Sequence, residues 1–307
     1  MKNLRLTELL EQFKAETKQQ AIRLIAQRSD RITATSSKFG GLPYLPKNFA
    51  YPTDKKGNPL KLLAQLNFAE LPLLADFPTS GILQFFVLPT DVIGLADWDG
   101  ELTKTGDVCQ VFYHKEILPH SEIMTDFPKI EWIDEEDEEI FPFQGEVLVT
   151  GEFTDIFINN TTIEFRELFK EFCLKYGIFS HFESHFWRWK DWRNWYEKKP
   201  TLSQEEQEKS DEKFREIHNA MEIFACDNGH LIGGYPNFVS QEHEKLAKLA
   251  KYNTLLFQIS SSDLSIKPAD EIEDNVYVIG NFFIKSADLQ KLKFDDVYFQ
   301  FRMLVDF

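Results

Sequence analysis

The chain has 307 residues, 43% hydrophobic and 27% charged, the make-up of a folded protein with room for one large or two ordinary domains. Its 50 acidic against 34 basic residues give a net charge of −16, which opposes attraction to nucleic acid, because phosphate affinity needs clustered lysine and arginine. No stretch approaches the roughly 18 consecutive apolar residues of a membrane span, and the opening MKNLRLTELLEQF lacks the apolar run of a signal peptide, so no membrane partner is expected.

In chain order, an N-terminal helix is expected over 3–27 within a 1–29 segment. Leu6, Leu9, Leu10, Phe13, Ala21, Ile22, Leu24 and Ile25 fall near a helical period, with charge between them. RITAT (31–35) is a strand candidate leading into SSKFGGLPYLP (36–46), where paired glycines and prolines turn the chain sharply. PLKLLAQLNFAELP, SGILQFFVLP, DVCQVFYHK and EVLVTGEF then have the apolar, β-branched and aromatic density of strands. Between the last two, Glu131 to Glu139 holds seven acids in nine residues. It lacks the alternation and turn glycine of a calcium loop and is expected to be a solvated loop.

From Thr162 the period becomes helical: Phe165, Leu168, Phe169, Phe172 and Tyr176 share a face, and Gly177 ends the run. A second helix is expected from about Ser180 to Tyr196. A charged third follows Pro200, with Ser203 and Glu206 spaced as a capping box. Strand-like text resumes near Phe224, so 161–222 is expected to be a helical insertion between a first β-rich part (30–160) and a second (223–307).

Those two parts repeat each other. GGLP (Gly40, Gly41, Pro43) aligns with GGYP (Gly233, Gly234, Pro236). In each copy, 25 residues on from the first glycine, LLAQL and LLFQI place Gln65 and Gln258 in register. QFFV and NFFI follow in the same order, with four extra residues in the second copy. A period this long, occurring twice, indicates a duplicated domain rather than a solenoid.

SKFGGLPYLP, YPTDKKGNPLKLLAQLNFAELP, FPTSGILQFFV and HLIGGYPNF together resemble the YwqG-like family, bacterial proteins of unknown function. The similarity runs from about Ser37 to the closing DDVYFQF. The resemblance implies an α+β fold with an internal duplication and pseudo-twofold symmetry, and an immunity-like or toxin-associated role. The second half departs from the family pattern. FVSQEHEK stands where F-x-Q-x-D-P-R is usual, Ser260 where an acid is usual, and YVIGNFF where W-G-D-x-G is usual.

Several side-chain groupings are candidates for function. Trp187, Trp189, Trp192 and Trp195 crowd into nine residues among Arg188, Lys190 and Arg193. Helical geometry cannot turn all four indoles to one face, so Trp189, Trp192, Trp195 and Arg193 are expected to form a protein-contact patch. Ser37, Lys38, Tyr44 and Gln65 are the polar groups of the first half that suit a ligand, so an asymmetric site nearer the first loop is expected. His181 and His185 have i, i+4 spacing but no identifiable third ligand, and Cys226, Asp227 and His230 lie close in sequence only. No phosphate loop, dinucleotide fingerprint or nucleophile elbow is present, and no metal or cofactor is expected.

A non-enzymatic protein-binding module with a basic partner is therefore expected, and a toxin-like character for that partner is what the resemblance implies. Three scattered cysteines, Cys109, Cys173 and Cys226, suggest a reducing compartment, the cytoplasm. The alternative is a small-molecule binder or unrecognised enzyme with its site in the cleft between the repeats. A cleft that gathers polar side chains would favour the alternative; aromatic closure would favour the module.

Overall fold

A computed structural model describes residues 2–90, 103–104, 106, 109–131, 145–180, 182, 203–226, 229–238, 250–260 and 276–305. The chain divides into two compact units, residues 1–19 with 156–227, and residues 20–155 with 228–307.

The first unit is helical: α1 (Lys2–Glu16), α2 (Phe165–Lys175) and α3 (Gln204–Met221). Its core is aromatic. The Phe13 ring lies 5.2 Å from Phe169, 5.0 Å from Phe172 and 5.6 Å from Phe224, and Phe182 packs on Phe169 at 5.1 Å. The apolar stripe expected on α2 therefore does bury Phe165, Phe169 and Phe172, and the chain turns out of the helix at Gly177. The N-terminal helix thus belongs with the helices inserted far along the chain, a grouping no local pattern announces.

The second unit is a sheet of ten strands of three residues or more, plus one of two residues. These are β1 (Gln19–Gln27), β2 (Lys38–Gly40), β3 (Lys61–Asn67), β4 (Ile82–Val87), β5 (Thr103–Lys104), β6 (Cys109–His114), β7 (Glu146–Ile156), β8 (His230–Gly233), β9 (Thr254–Ser260), β10 (Val276–Ile284) and β11 (Val297–Val305). A short helix, α4 (Ser286–Leu289), lies between the last two. The spatial order is β5-β11-β10-β9-β8-β1-β7-β2-β3-β4-β6, and each pairing with a described register is antiparallel. Lys104 and Cys109 sit on the two end strands, yet the chain between them spans at most about 18 Å. The sheet is therefore nearly closed and barrel-like.

Its inner face is apolar. Phe85 of β4 meets Phe257 of β9 at 4.8 Å and Phe282 of β10 at 4.6 Å, and Phe39 of β2 meets Phe257 at 6.0 Å. Rings from the two sheet halves pack against one another along these contacts.

Two local expectations are corrected. The N-terminal helix ends at Glu16, and 19–27 is strand, with Ala21 opposite Gly233 and Leu24 opposite His230. Ile22, Leu24 and Ala26 alternate into the sheet core, and that tertiary burial overrides a weak helical period. RITAT is not a strand either; its carbonyls cap side chains from neighbouring strands, as described next.

Candidate functional site

The outer face of the sheet carries rows of buried carboxamides. In the first half Gln65 of β3 lies directly opposite Gln84 of β4, and both are fully buried. Gln65 Oε1 accepts from the Tyr44 N–H (2.7 Å) and from Gln84 Nε2 (2.9 Å). Its Nε2 donates to the carbonyls of Ala34 and Ser36, both at 2.9 Å. Gln84 Nε2 also donates to the Tyr44 carbonyl at 2.6 Å, and Gln84 Oε1 lies 3.0 Å from His114 Nε2. Because that oxygen only accepts, the neutral His114 ring carries its proton on Nε2. Burial lowers the His114 pKa to about 4.

Lys38 is 2% exposed, with Nζ 2.8 Å from Glu146 Oε1 and 3.4 Å from the Thr33 carbonyl. Tyr44 is buried; its hydroxyl accepts from the Leu118 N–H at 2.8 Å and donates to the Glu116 carbonyl at 3.4 Å. Ser37 Oγ accepts from the Asn67 N–H at 2.9 Å, and the Ser37 N–H donates to Glu70 at 2.8 Å. The four first-half residues singled out from sequence are therefore brought together, and their polar groups are engaged within the protein.

The second half repeats these bonds. The Asn237 N–H donates to Gln258 Oε1 at 2.8 Å, and Gln258 Nε2 donates to the Gly229 carbonyl at 2.8 Å. Asn281 Nδ2 donates to the Asn237 carbonyl at 2.8 Å, as Gln84 does to Tyr44. The Ser260 N–H donates to His230 Nδ1 at 3.1 Å, as the Asn67 N–H does to Ser37. One difference stands out. Asn281 is 1% exposed, and its Oδ1 has no hydrogen-bond partner among the described residues.

The other candidates fare differently. Trp187, Trp189, Trp192, Trp195 and Arg193, with His181, His185 and Asp227, lie outside the described residues, as does the acidic run beyond Glu131. Cys226 is partly exposed, with its sulfur 3.5 Å from Thr161 Oγ1. Cys109 and Cys173 are buried, and burial raises both thiol pKa values, that of Cys173 to about 12. Among the described residues, no group of three or more His, Cys, Asp or Glu could hold a metal ion, and no helix is long and apolar enough to cross a membrane. Gln84, His114, Glu146 and Asn281 escaped sequence reasoning. The signal available for Gln84 and Asn281 is an amide inside an apolar strand, a feature they share with Gln65 and Gln258.

A family model described as a domain of unknown function, DUF1963, matches residues 37–302. The comparison with curated proteins returned no match. The family match spans both halves of the sheet and the helical insertion, and the chain belongs to the DUF1963 family.

Proposed function

We propose that this protein is a non-enzymatic protein-binding module of the YwqG-like type, α+β and internally duplicated, acting in the cytoplasm on a basic, toxin-like partner in an immunity-like role. The observation that carries this reading is the aromatic filling between the sheet halves, where Phe85 meets Phe257 and Phe282, in place of a polar substrate cleft. The internal use of Lys38, Tyr44 and Gln65 supports it in the same direction, by directing recognition to the surface. The net charge of −16 favours a basic partner. The duplication rests on the matched side-chain bonds, in which a shift of 193 residues relates Gln65 to Gln258, Tyr44 to Asn237 and Ser37 to His230.

The test is affinity capture from the native host with the wild-type chain and with Trp192→Ala/Trp195→Ala. A basic protein retained by the first and lost by the second, with stability within about 0.5 kcal/mol, supports the module. Equal capture by both chains, or a large loss of stability in the variant, refutes the Trp-rich patch as the contact surface.

A further inference from the structure

We infer that β7, beyond the point where β2 leaves it, is a docking edge for an extended basic segment of a partner protein, with an apolar side chain of that segment set against Phe153 and Leu73. The inference rests on the reading of a basic protein partner and adds a contact surface made of other residues.

β7 outruns its neighbour. β2 pairs with it only from Lys38 to Gly40, opposite Leu148 to Glu146, and a last bond joins the Val149 N–H to the Ser37 carbonyl at 2.9 Å. The Ser37 N–H then turns away to Glu70 Oε2 at 2.8 Å. β7 continues to Ile156, so from Thr150 onward it has lost β2 as a partner. Main-chain groups of alternate residues point to the same side of a strand, so those of Gly151 and Phe153 face the side that β2 has left. An edge of this kind pairs readily with another extended chain.

The side chains beside this edge are open to solvent and apolar. Phe153 is 49% exposed, the one exposed phenylalanine among the described residues, and Leu73 is 70% exposed. Both flank one contact. A Cβ on Gly151 would stand 3.0 Å from Pro72 Cδ, and Leu73 follows Pro72. Phe153 shares the Gly151 face, one step of about 7 Å along β7. An apolar side chain laid against these two loses water on both sides and anchors the contact.

The surrounding charge selects the partner. The sequence has no lysine or arginine from Leu62 to Thr103, nor from Ile130 to Phe165. Glu70, Asp76 and Glu152 are exposed, and none of the three makes an ion pair with a described residue. Glu70 and Asp76 accept from neutral donors, the Ser37 N–H and the Gln290 amide, so their charge stays uncompensated. Glu152 points to the opposite face of β7 from Phe153. A strand paired here meets Phe153 with one residue and Glu152 with the next, so alternating apolar and cationic side chains fit it.

The test uses a fluorescein-labelled peptide, GKTKLKTKG, with the full chain and fluorescence anisotropy at about 50 mM salt as the readout. It should bind saturably. A peptide with serine in place of the leucine, or with the leucine amide N-methylated, should bind at least about five-fold more weakly at unchanged charge, and one with glutamate for every lysine should not bind. Phe153→Ser/Leu73→Ser should weaken the leucine peptide by a similar factor, whereas Leu168→Ser, which removes an exposed leucine of α2, should not. The peptides are compared on the unaltered protein, so a variant that folds poorly does not rescue the proposal. Equal binding of the leucine, serine and N-methylated peptides, unchanged binding by the double variant, or no binding at all overturns the docking edge. The tryptophan substitutions read a different part of the chain, so either proposal can fail alone.

Discussion

Lys38 and Glu146 form an ion pair at 2.8 Å across neighbouring strands, and Gly41 makes it sterically accessible. Gly41 sits at φ +69°, and a Cβ there would stand 2.2 Å from Glu146 Oε1. The glycine pair of the first loop thus turns the chain and also leaves space for the carboxylate that neutralises a buried lysine. Gly41→Ala should displace Glu146 and strain the backbone together. The expected loss is about 3–5 kcal/mol, mostly from stranding Lys38. Gly41→Ala in a Lys38→Met background should cost clearly less, because no buried charge is then left behind. Denaturant unfolding of the double-mutant cycle checks this. Equal costs in both backgrounds would remove the ion pair from the explanation.

His114 predicts the pH dependence. Burial lowers its pKa from 6.5 to about 4, so between these values the unfolded chain binds more protons than the folded one. The stability contributed by the neutral ring is present above pH 6.5 and is lost as the pH falls toward 4. The full difference is worth about 3 kcal/mol. His114→Gln should flatten this part of the stability curve relative to wild type, measured by urea unfolding at half-unit intervals. Identical slopes in the two proteins would show that carboxylates alone set the acid limit.

The first sheet half should be sensitive to loss of its central amide. Gln65 makes four hydrogen bonds to described partners. Gln65→Leu leaves the Tyr44 N–H, the Gln84 amide and the carbonyls of Ala34 and Ser36 to find new partners in a buried setting. A cost of about 2–4 kcal/mol follows. Thermal unfolding of Gln65→Leu beside wild type measures this cost, and a loss below about 0.5 kcal/mol would show that the amide is not needed to satisfy these groups.

How much of this was legible beforehand depends on the range of the interaction. The strands at 61–67, 82–87, 109–114 and 146–156 follow from runs of apolar and aromatic residues that carry their own signal. The likeness of Gln65 and Gln258 is legible because each stands 25 residues after the first glycine of a GG-x-P loop. Residues 19–27 form a strand although Ile22 and Ile25 fit a helical period, because Ile22, Leu24 and Ala26 share the inward face and β1 lies between β8 and β7, both far along the chain. His114 was invisible for a similar reason. Its role comes from Gln84 on the adjacent strand and the nearby Tyr44 ring, and nothing in DVCQVFYHK marks its histidine as buried.

The cysteines provide the last prediction and a direct reading of the fold. Cys109 is fully buried on β6, and Cys173 is buried on α2; burial raises both thiol pKa values, so neither offers an accessible thiolate at neutral pH. Cys226 is partly exposed near Thr161, and the histidine closest to it in sequence, His230, already uses Nδ1 to accept the Ser260 N–H. Native protein treated with a thiol-reactive disulfide at neutral pH should therefore release about one equivalent of chromophore readily. Two further equivalents should appear only on unfolding. Cys226→Ser should abolish the native reaction and leave the unfolded total at two. Rapid modification of Cys109 in the folded state would mean that β6, an end strand of the sheet, opens far more readily than its burial implies.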